Sequence, residues 1–549
     1  MCGLNVIYRN DNRAPTMGCM KRMNYALSHR GPDGDGIYIR PGIALGHTRL
    51  SVIDVDNGQQ PMSSDDEQFT IVYNGELYNY RTLRKDLLSR GVIFKTRSDT
   101  EVVLMLYRLY GADCVNKMRG MFSFVVYEKN SGKLFLARDR LGIKPLFYHW
   151  TGSTLIAASE IKAIFASGYV EAKLNKASII NYFTYQFSIT PNTPYESIFE
   201  LSPGYCMTIS HRGDPVLFQY WDVEFPKHGD YETDREDYWL DAFESALDDS
   251  VKSHAVSDVE IGSYLSGGID SCTITELLSK NTSTRMKTFS IGFDSDEHDE
   301  SDAYRRVAEY LGVENNEIKF SMDGDYLNKL KESLYHLEQP QRMSVDVPHF
   351  ELSKLVSDNN CKVVCTGDGA DEILAGYDCY RQDAMRTNSN GLFNQLWRRK
   401  KYLKEYTEYF ASDHMELLLS LHKRRKQYKT IENYGFYPVW FDFWQITGTS
   451  LSDLFLPEVV SGSNNQKQMD ELVSTVKPNI KNLHPLNQSL YLETKTRLPG
   501  WILWKCDRLS MAHGVEARVP FLDHKLVELT AKMPPNYKLM GMKTKAVHR

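Results

Sequence analysis

The chain has 549 residues, of which 65 are basic and 71 are acidic, so its formal net charge is −6. Hydrophobic residues make up 42% and charged residues 25%, an ordinary composition for a globular protein. These values exclude a collagen-like chain, a disordered chain and a strongly basic nucleic-acid-binding chain, and the length predicts about two to four domains. No apolar run approaches the roughly 20 residues that a membrane-spanning helix needs.

Nine cysteines are scattered along the chain, and none belongs to a C-x-x-C pair. This spacing favours neither a zinc site nor a disulfide framework. The N-terminus also lacks the basic segment and apolar core of a secretory signal peptide. We therefore expect a reduced, cytoplasmic protein with no nucleic-acid partner and no membrane partner.

The first 210 residues or so alternate short apolar runs with turns rich in Gly, Pro, Asn and Asp. Period-two alternation of this kind predicts strands, and few helical patterns interrupt it. The predicted strands are Ile43–Leu50, Phe69–Asn74, Met121–Tyr127 and Lys133–Arg138, and the predicted helices are Tyr80–Arg90 and Thr100–Tyr110. The pattern favours an antiparallel α+β domain with stacked sheets, followed by a polar linker near Trp221–Asp234.

Beyond the linker, predicted strands alternate with predicted helices, which indicates a parallel sheet covered on both faces. The predicted segments are a helix at about Arg235–Lys252, strands at Val259–Leu265, Met286–Phe293 and Lys362–Thr366, and a helix near Ser301–Leu311. The stretch from about Leu392 to Trp504 is mostly helical and aromatic. Near the end, Asp507–Ala512 predicts an amphipathic helix and Glu516–Asp523 a polar loop after it.

The chain opens Met1-Cys2-Gly3. Removal of the initiator methionine would leave Cys2 with a free α-amine, which can act as the general base for its own thiol. The dipeptide alone is better explained by a buried cysteine at an N-terminal strand. Four polar clusters at loop-like positions reverse that judgement, namely His29–Asp33, Arg49–Ser51, Asn74–Asn79 and Ser98–Glu101.

These motifs resemble the glutaminase domain of class II glutamine amidotransferases, specifically the asparagine synthetase branch. The resemblance implies an αββα sandwich of the N-terminal nucleophile type over residues 1–215, in which Cys2 attacks the side-chain amide of glutamine. It also implies that Asn74 and the Gly75 backbone N–H form the oxyanion hole. Such donors are fixed in advance of the tetrahedral intermediate that they stabilise.

The same resemblance implies how glutamine is held. Arg49 would grip the α-carboxylate, since carboxylates suit a bidentate guanidinium, and Glu76 and Asp99 would hold the α-amine. Taken singly, Arg49, Glu76 and Asp99 are as well explained by surface ion pairs. The full glutamine-binding set implied by the family is Arg49, Leu50, Ser51, Val52, Ile53, Asn74, Gly75, Glu76 and Asp99.

A second motif, Tyr264-Leu265-Ser266-Gly267-Gly268-Ile269-Asp270-Ser271, stands where a predicted strand ends and a helix begins. It is not a Walker loop, because no Lys-Ser/Thr follows the glycines. Backbone N–H groups and hydroxyls at a helix N-terminus nonetheless suit an anion, and Asp270 offers an oxygen ligand for Mg²⁺ that arrives with nucleotide phosphates. An ordinary turn with a helix cap is the plainer interpretation of the motif alone.

This motif is similar to the ATP pyrophosphatase loop of asparagine synthetases, which extends the resemblance to a synthetase domain at 235–549 with helical additions. The ATP-binding residues so implied are Leu265, Ser266, Gly267, Gly268, Asp270, Ser271, Ile291, Thr366 and Gly367. Asp371 matches the second Mg²⁺ ligand beside Asp270. Core strand positions would explain Leu265 and Ile291 equally well.

One position departs from the family pattern. The cluster Cys365–Glu372 has Asp368 where relatives usually carry the glutamate implicated in handling an acyl-adenylate, and Thr366 where they carry serine. The shorter acid retracts its carboxylate by about 1.5 Å, one C–C bond, and catalysis is sensitive to displacements of that size. We expect Asp368 to be catalytic, and the family implies that Lys545 faces pyrophosphate or the adenylate, with Arg549 as its basic partner.

The combined interpretation is a glutamine- and ATP-dependent enzyme that amidates a carboxylate through an acyl-adenylate, with Mg²⁺ as cofactor and a passage for ammonia between the sites. Aspartate is the expected acceptor, with small molecules as partners and a homodimer as one assembly that the family allows. Three alternatives stay open: another acid such as a sugar acid or natural-product precursor, ring closure as in β-lactam-forming synthetases, and a non-catalytic relative. Most family members continue past Arg549.

Two basic runs remain, Arg398–Lys401 and Lys423–Lys426. They fall in helical, tyrosine-rich sequence. Because the net charge is negative and no nucleic-acid-binding motif accompanies them, solvated helix faces are favoured over a nucleic-acid site.

Overall fold

A computed structural model describes residues 1–211, 213–233, 235–281, 285–294, 299–322, 324–340, 345–387, 478–541 and 543–549, with Trp440, Phe455 and Leu472. Both basic runs and most of the helical stretch expected between Leu392 and Trp504 lie outside these ranges. Within them, no helix combines the length and apolarity needed to cross a membrane.

The N-terminal part contains two six-stranded antiparallel sheets, ordered β10-β8-β9-β1-β3-β2 and β12-β11-β7-β6-β5-β4. The strands are β1 (Gly3–Arg9), β2 (Gly34–Arg40), β3 (Ile43–Arg49), β4 (Met62–Ser63), β5 (Phe69–Leu77), β6 (Gly120–Glu128), β7 (Lys133–Arg138), β8 (Phe147–Trp150), β9 (Thr154–Ala158), β10 (Phe199–Glu200), β11 (Tyr205–Ile209) and β12 (Val216–Gln219). The helices are α1 (Met17–Ala26), α2 (Tyr80–Ser89), α3 (Asp99–Tyr110), α4 (Cys114–Lys117), α5 (Ile161–Ala166) and α6 (Lys176–Tyr185).

Alternating apolar side chains bind these layers together. Leu4 and Leu45 of the first sheet share one buried cluster with Val72 and Val125 of the second. The outer faces are covered by helices, since α1 and α5 pack on the first sheet and α3 packs on β5 of the second. The expected αββα sandwich is therefore confirmed, as are the four strands and two helices predicted in it.

The C-terminal part is built on a five-stranded parallel sheet in the order β15-β14-β13-β16-β17. Its strands are β13 (Ile261–Tyr264), β14 (Lys287–Phe293), β15 (Glu314–Phe320), β16 (Val363–Cys365) and β17 (Glu516–Arg518), and a small hairpin pairs β18 (Leu539–Met540) with β19 (Lys543–Thr544). The described helices are α7 (Glu236–His254), α8 (Ile269–Lys280), α9 (Ser301–Leu311), α10 (Tyr326–Leu337), α11 (Asp346–Asp358), α12 (Ala370–Leu374), α13 (Asp378–Thr387), α14 (Pro485–Lys495), α15 (Trp504–Met511), α16 (His524–Lys532) and α17 (Pro535–Lys538).

The strand order of this sheet locates its ligand crevice. From β13, the chain adds β14 and β15 on one side and then β16 and β17 on the other, so the order reverses between β13 and β16. Ligands of open parallel sheets bind outside the carboxyl ends of the strands at such a switch point. The glycine loop follows β13 and the Asp368 cluster follows β16, so both lie at this crevice.

The prediction of a polar loop at Glu516–Asp523 is wrong for its first three residues. Glu516–Arg518 forms β17, which pairs in parallel with β16 at the edge of the sheet. The glutamate and arginine are both fully buried, which local hydrophobicity could not indicate. Their charges are compensated by partners distant in sequence, as described below.

Candidate active sites

A pocket in the N-terminal part gathers most of the residues expected to bind glutamine. Its walls are Met1, Cys2, Arg49, Leu50, Val52, Ile53, Gly58, Gln60, Tyr73, Gly75, Glu76, Ser98, Asp99 and Thr100. The expected residues Ser51 and Asn74 stand beside the pocket and outside its walls. The Ser51 backbone N–H donates to Asp33, and Asn74 contacts the backbone of Cys2.

Cys2 lies at the start of β1 with 7% of its surface exposed. Its backbone N–H donates to Oδ1 of Asn74 at 2.9 Å, and its carbonyl accepts from Nε of Arg30 at 3.0 Å. Burial raises the pKa of the Cys2 thiol, so an adjacent base is needed to generate the thiolate. Asn74 fixes the nitrogen that would become that base once Met1 is removed.

Asn74 contacts the backbone of the nucleophile, and the adjacent Gly75 lines the same pocket as Cys2. Both lie on β5, which pairs with β6 through Asn74↔Ser123 and Gly75↔Phe122. A Cβ at position 75 would lie 2.3 Å from the carbonyl oxygen of Met121, so only glycine permits this close pairing with β6. Nδ2 of Asn74 is buried and makes no hydrogen bond within the described chain, which leaves a donor available for an oxyanion.

The acidic wall of the pocket is formed by Glu76 at the end of β5 and Asp99 at the start of α3. Ser98 caps α3 by accepting the Thr100 N–H, which holds Asp99 in the first turn. Burial raises the pKa of Asp99 to about 6. Burial, together with the Glu516 carboxylate, raises the pKa of Glu76 well above its usual range. The pocket therefore carries carboxyl groups that a cationic ligand would help to ionise.

Arg49 ends β3 and folds back on the loop after it. Its guanidinium donates to the carbonyls of Val55 at 2.8 Å and Asp54 at 2.7 Å. Gly58 makes this packing possible, because a Cβ there would lie 2.4 Å from Nη2 of Arg49. These bonds orient the arginine at the pocket wall, where the sequence predicts that it meets an α-carboxylate.

A larger cavity of about 430 Å³ lies at the switch point of the parallel sheet. It brings together ten of the expected residues, namely Leu265, Ser266, Gly268, Asp270, Ser271, Ile291, Thr366, Gly367, Asp368 and Asp371. Gly267 does not line it, because its N–H points to Glu300 and donates to Oε2 at 3.0 Å. In the rest of the loop, Ser271 Oγ lies 2.8 Å from Ser266 Oγ, so both hydroxyls face the same space.

Lys545 lies beside this cavity, between the two aspartates expected to hold Mg²⁺. Its ammonium is 2.7 Å from Oδ1 of Asp371 and also bonds Oδ2 of Asp270. Against the effect of burial, His548 and Lys545 together lower the pKa of Asp270. Because the ammonium of Lys545 already bridges the two aspartates, their carboxylate oxygens fit a divalent ion. No three His, Cys, Asp or Glu side chains of the described residues converge on a metal position.

Asp368, the shorter acid at the position where relatives usually carry glutamate, is held by the nearby Thr366. Oγ1 of Thr366 lies 2.8 Å from Oδ2 of Asp368, and the Asp368 N–H donates back to the same hydroxyl at 3.1 Å. The two residues that depart from the usual family pattern therefore contact each other. This mutual contact positions the Asp368 carboxylate at the cavity wall.

Sequence reasoning missed several residues of both pockets. In the nucleotide cavity these are Tyr264, Phe293, His349, Glu372, Tyr377, Trp501 and Lys505. Trp501 belongs to a π-helical turn at Leu498–Leu503 that leads into α15, a deviation that no local signal indicated. At the glutamine pocket the missed wall residues are Met1, Gly58, Gln60, Tyr73, Ser98 and Thr100. Glu516 stands behind these walls, with its carboxylate 2.8 Å from the Met1 ammonium.

Comparisons with known proteins agree with this geometry. A family model described as a glutamine amidotransferase domain matches residues 1–221, and one described as asparagine synthase matches residues 242–549. Asparagine synthetase [glutamine-hydrolyzing] 1 of Bacillus subtilis is 32% identical over 100% of this chain and 84% of its own length. The chain belongs to the asparagine synthase family. It is an asparagine synthetase-like glutamine amidotransferase, a ligase for glutamine-dependent, ATP-driven amidation.

Other members of the family carry different names. Asparagine synthetase [glutamine-hydrolyzing] 3 of Bacillus subtilis is 30% identical, covering 96% of this chain and 80% of the relative. A protein named amidase chyE, of Penicillium rubens, is 31% identical, covering 98% of this chain and 83% of its own length. Membership of the family therefore fixes the type of reaction and leaves the acceptor acid to be argued from the cavity.

Proposed function

We propose that this enzyme converts aspartate to asparagine with glutamine as nitrogen donor and ATP as activating substrate. The observation that carries the proposal is that one chain holds both pockets. The first holds Cys2, Glu76 and Asp99, with Asn74 bonded to the Cys2 backbone. The second holds a glycine loop and two aspartates that share the ammonium of Lys545. Each pocket suits one half of the reaction.

In the first half-reaction the Cys2 thiol transfers its proton to its own α-amine and attacks the amide carbon of glutamine. A C–S bond forms, Asn74 and Gly75 stabilise the oxyanion, and the C–N bond breaks as the amine returns the proton to the departing ammonia. Water then hydrolyses the thioester to glutamate. Glu76 and Asp99 hold the substrate α-amine throughout.

In the second half-reaction an oxygen of the acceptor carboxylate attacks the α-phosphorus of ATP, and pyrophosphate leaves. Ammonia then attacks the acyl carbon, loses a proton, and AMP leaves with the carboxylate oxygen. Asp270 and Asp371 would hold Mg²⁺, which supplies charge neutralisation at the phosphates. Lys545 is placed to transfer its contact from these aspartates to the departing pyrophosphate, and Asp368 lies where it can orient the acyl group.

The ammonia released at Cys2 has to reach Asp368 without protonation, so we propose a closed passage between the pockets. We also propose a cytoplasmic setting, which is supported by nine cysteines that are all unpaired. The assembly is proposed as a homodimer whose partners are small molecules.

A second acceptor is favoured by one feature of the cavity. Its walls include Asp368 and the aromatic side chains of Tyr377 and Trp501, and Lys505 carries the single ammonium among its described lining residues. Aromatic walls suit an acid larger than aspartate, and relatives named amidases are consistent with another acid. A natural-product precursor or a sugar acid is therefore the alternative acceptor.

Purified full-length enzyme with ATP, Mg²⁺ and glutamine separates these acceptors. AMP release is measured with aspartate and with a panel of sugar acids and aryl carboxylic acids. Aspartate-dependent release of AMP supports asparagine formation. Release that depends on another acid, with no response to aspartate, assigns the chemistry to that acid.

A further inference from the structure

Arg518 is the last residue of β17 and is completely buried. Its Nε donates to Oε1 of Glu516 at 2.6 Å, and its Nη1 donates to the carbonyls of His254 at 2.5 Å and Val256 at 2.7 Å. These three bonds use only part of the donor fork. They fix the plane of the guanidinium, and none of them uses Nη2.

That remaining nitrogen points toward the glutamine pocket. Nη2 of Arg518 lies 3.5 Å from Oε2 of Glu76. Within the described chain neither atom has a hydrogen-bond partner, and both are buried. Glu76 lines the pocket expected to bind glutamine, so the synthetase sheet supplies the countercharge of a residue in the other domain.

The backbone of the same arginine reaches the nucleotide cavity. The carbonyl of Arg518 accepts the N–H of Thr366 at 2.9 Å. Thr366 lines that cavity and bonds Asp368 through its hydroxyl. One residue therefore contacts a wall residue of each pocket, by its side chain on one side and by its peptide group on the other.

The charges around this contact need balancing. Glu76, Asp99 and Glu516 are three buried carboxyl groups. The cations that face them are Arg518, Lys144 and the N-terminal ammonium, which belongs to Met1 in this structure and to Cys2 once Met1 is removed. A buried carboxylate with a badly placed partner is strongly disfavoured. The orientation of Glu76 toward a ligand thus depends on where the guanidinium stands.

We propose that Arg518 is a positioning residue that orients Glu76 toward the α-ammonium of glutamine and couples this orientation to the nucleotide loop through Thr366. The proposal rests on the proposed glutaminase function of the first pocket. It predicts that filling the nucleotide cavity changes the affinity for glutamine. Reciprocity then requires glutamine to change the affinity for nucleotide by the same factor.

The test uses full-length R518K, which keeps the positive charge and loses the forked set of guanidinium N–H donors. Glutamine KM is measured by glutamate release, and AMP release is followed with glutamine and separately with ammonium chloride. R518K should raise glutamine KM about tenfold, within the range for contacting residues, and leave ammonia-driven AMP release within about twofold. R508K is the matched control, because Arg508 is equally buried and bonds Ser159 O and Glu338, away from Glu76.

A double-mutant cycle separates positioning from packing. If Arg518 acts through Glu76, R518K adds nothing to glutamine KM in an E76Q background. Equal factors in both backgrounds, or equal slowing with glutamine and ammonia, would overturn the proposal. E516Q serves as a second variant if R518K does not fold, since it weakens the 2.6 Å bond that fixes the guanidinium, and it should show the same non-additivity at a smaller size.

The coupling is tested with a non-hydrolysable ATP analogue and Mg²⁺. The analogue should shift glutamine KM in the wild type and in R508K and leave it unchanged in R518K. An unresponsive wild type, or an equal response in R518K, contradicts the coupling. Because glutamate release needs no acceptor, a wrong acceptor assignment would appear as missing AMP with intact glutamine kinetics, whereas a wild type without glutamate release would contradict the proposed function itself.

Discussion

The ammonium of Lys545 lies 2.7 Å from the carboxylate of Asp371, and it bonds Asp270 at the same time. The backbone of Gly376 makes room for this contact, because a Cβ there would lie 1.7 Å from Oδ1 of Asp371 and 2.3 Å from Cε of Lys545. The lysine therefore takes the place between two carboxylates that a divalent cation would otherwise fill. Cation binding and movement of Lys545 should be linked.

This link predicts that K545Q binds a divalent cation more tightly in the absence of nucleotide. Mn²⁺ affinity, measured by electron paramagnetic resonance titration, should rise about fivefold, which corresponds to removing a competing ion pair worth about 1 kcal/mol. K543Q is the control, because Lys543 is exposed on the same hairpin. An unchanged or weaker Mn²⁺ affinity in K545Q would show that the lysine does not compete for the site.

Replacing Cys2 by alanine should separate the two half-reactions. C2A removes the sulfur nucleophile, so AMP release driven by glutamine should fall to background. Ammonia-driven release should stay within about twofold, since Cys2 does not line the second pocket. Loss of both activities would show that Cys2 is needed for the structure of the synthetase site, and retention of both would remove Cys2 from the mechanism.

The carboxyl groups of the glutamine pocket predict a pH dependence. Glu76 and Asp99, whose pKa values are raised, the latter to about 6, must lose protons to pair with an α-ammonium. Glutamine binding should therefore release protons near pH 6, and affinity should increase as pH rises through the pKa of Asp99. The groups that face Glu76 are Asp99, Glu516, Arg518, Tyr73, Tyr78 and the N-terminal ammonium.

Titration calorimetry of C2A with glutamine, in two buffers of different ionisation heat, measures this proton release. The E76Q/C2A double variant is the control and should release fewer protons. Proton uptake, or an equal release in both proteins, contradicts the assigned charge states.

Replacing Asp368 by glutamate, the acid usual in the family, should slow AMP formation by this enzyme. D368E would extend the carboxylate by about one C–C bond and disturb its 2.8 Å contact with Thr366. We expect kcat for AMP formation to fall about ten- to a hundredfold, with little change in the KM for ATP. A variant as fast as the wild type would show that the aspartate is a tolerated substitution and carries no special placement.

Local patterns predicted the elements that carry most site residues. The strand through Asn74 and Gly75, the helix that begins at Asp99 and the glycine loop after β13 each follow from alternation, capping or turn composition, and the fold confirms their elements. The ligand roles of these residues remain predictions. Gly267 shows the limit of such patterns. It belongs to the predicted glycine loop, but its N–H donates to Glu300 and so does not face the cavity.

Long-range charge pairing could not be predicted in this way. The sequence Glu516-Ala517-Arg518 is polar and was expected to be a loop, because nothing near it indicates burial. It forms an edge strand because Glu516 meets the Met1 ammonium and Arg518 meets Glu76, partners from the other end of the chain. Lys545 likewise finds Asp371 only in the folded molecule.

An isotope measurement tests whether nitrogen passes from glutamine to aspartate within one enzyme. The enzyme is supplied with ATP, Mg²⁺, aspartate and glutamine labelled with ¹⁵N in its side-chain amide, in a buffer containing unlabelled ammonium. Transfer within the enzyme yields asparagine that carries ¹⁵N in its amide, formed in equal amount with AMP. Absence of asparagine, or asparagine whose amide nitrogen comes from the buffer, would contradict it.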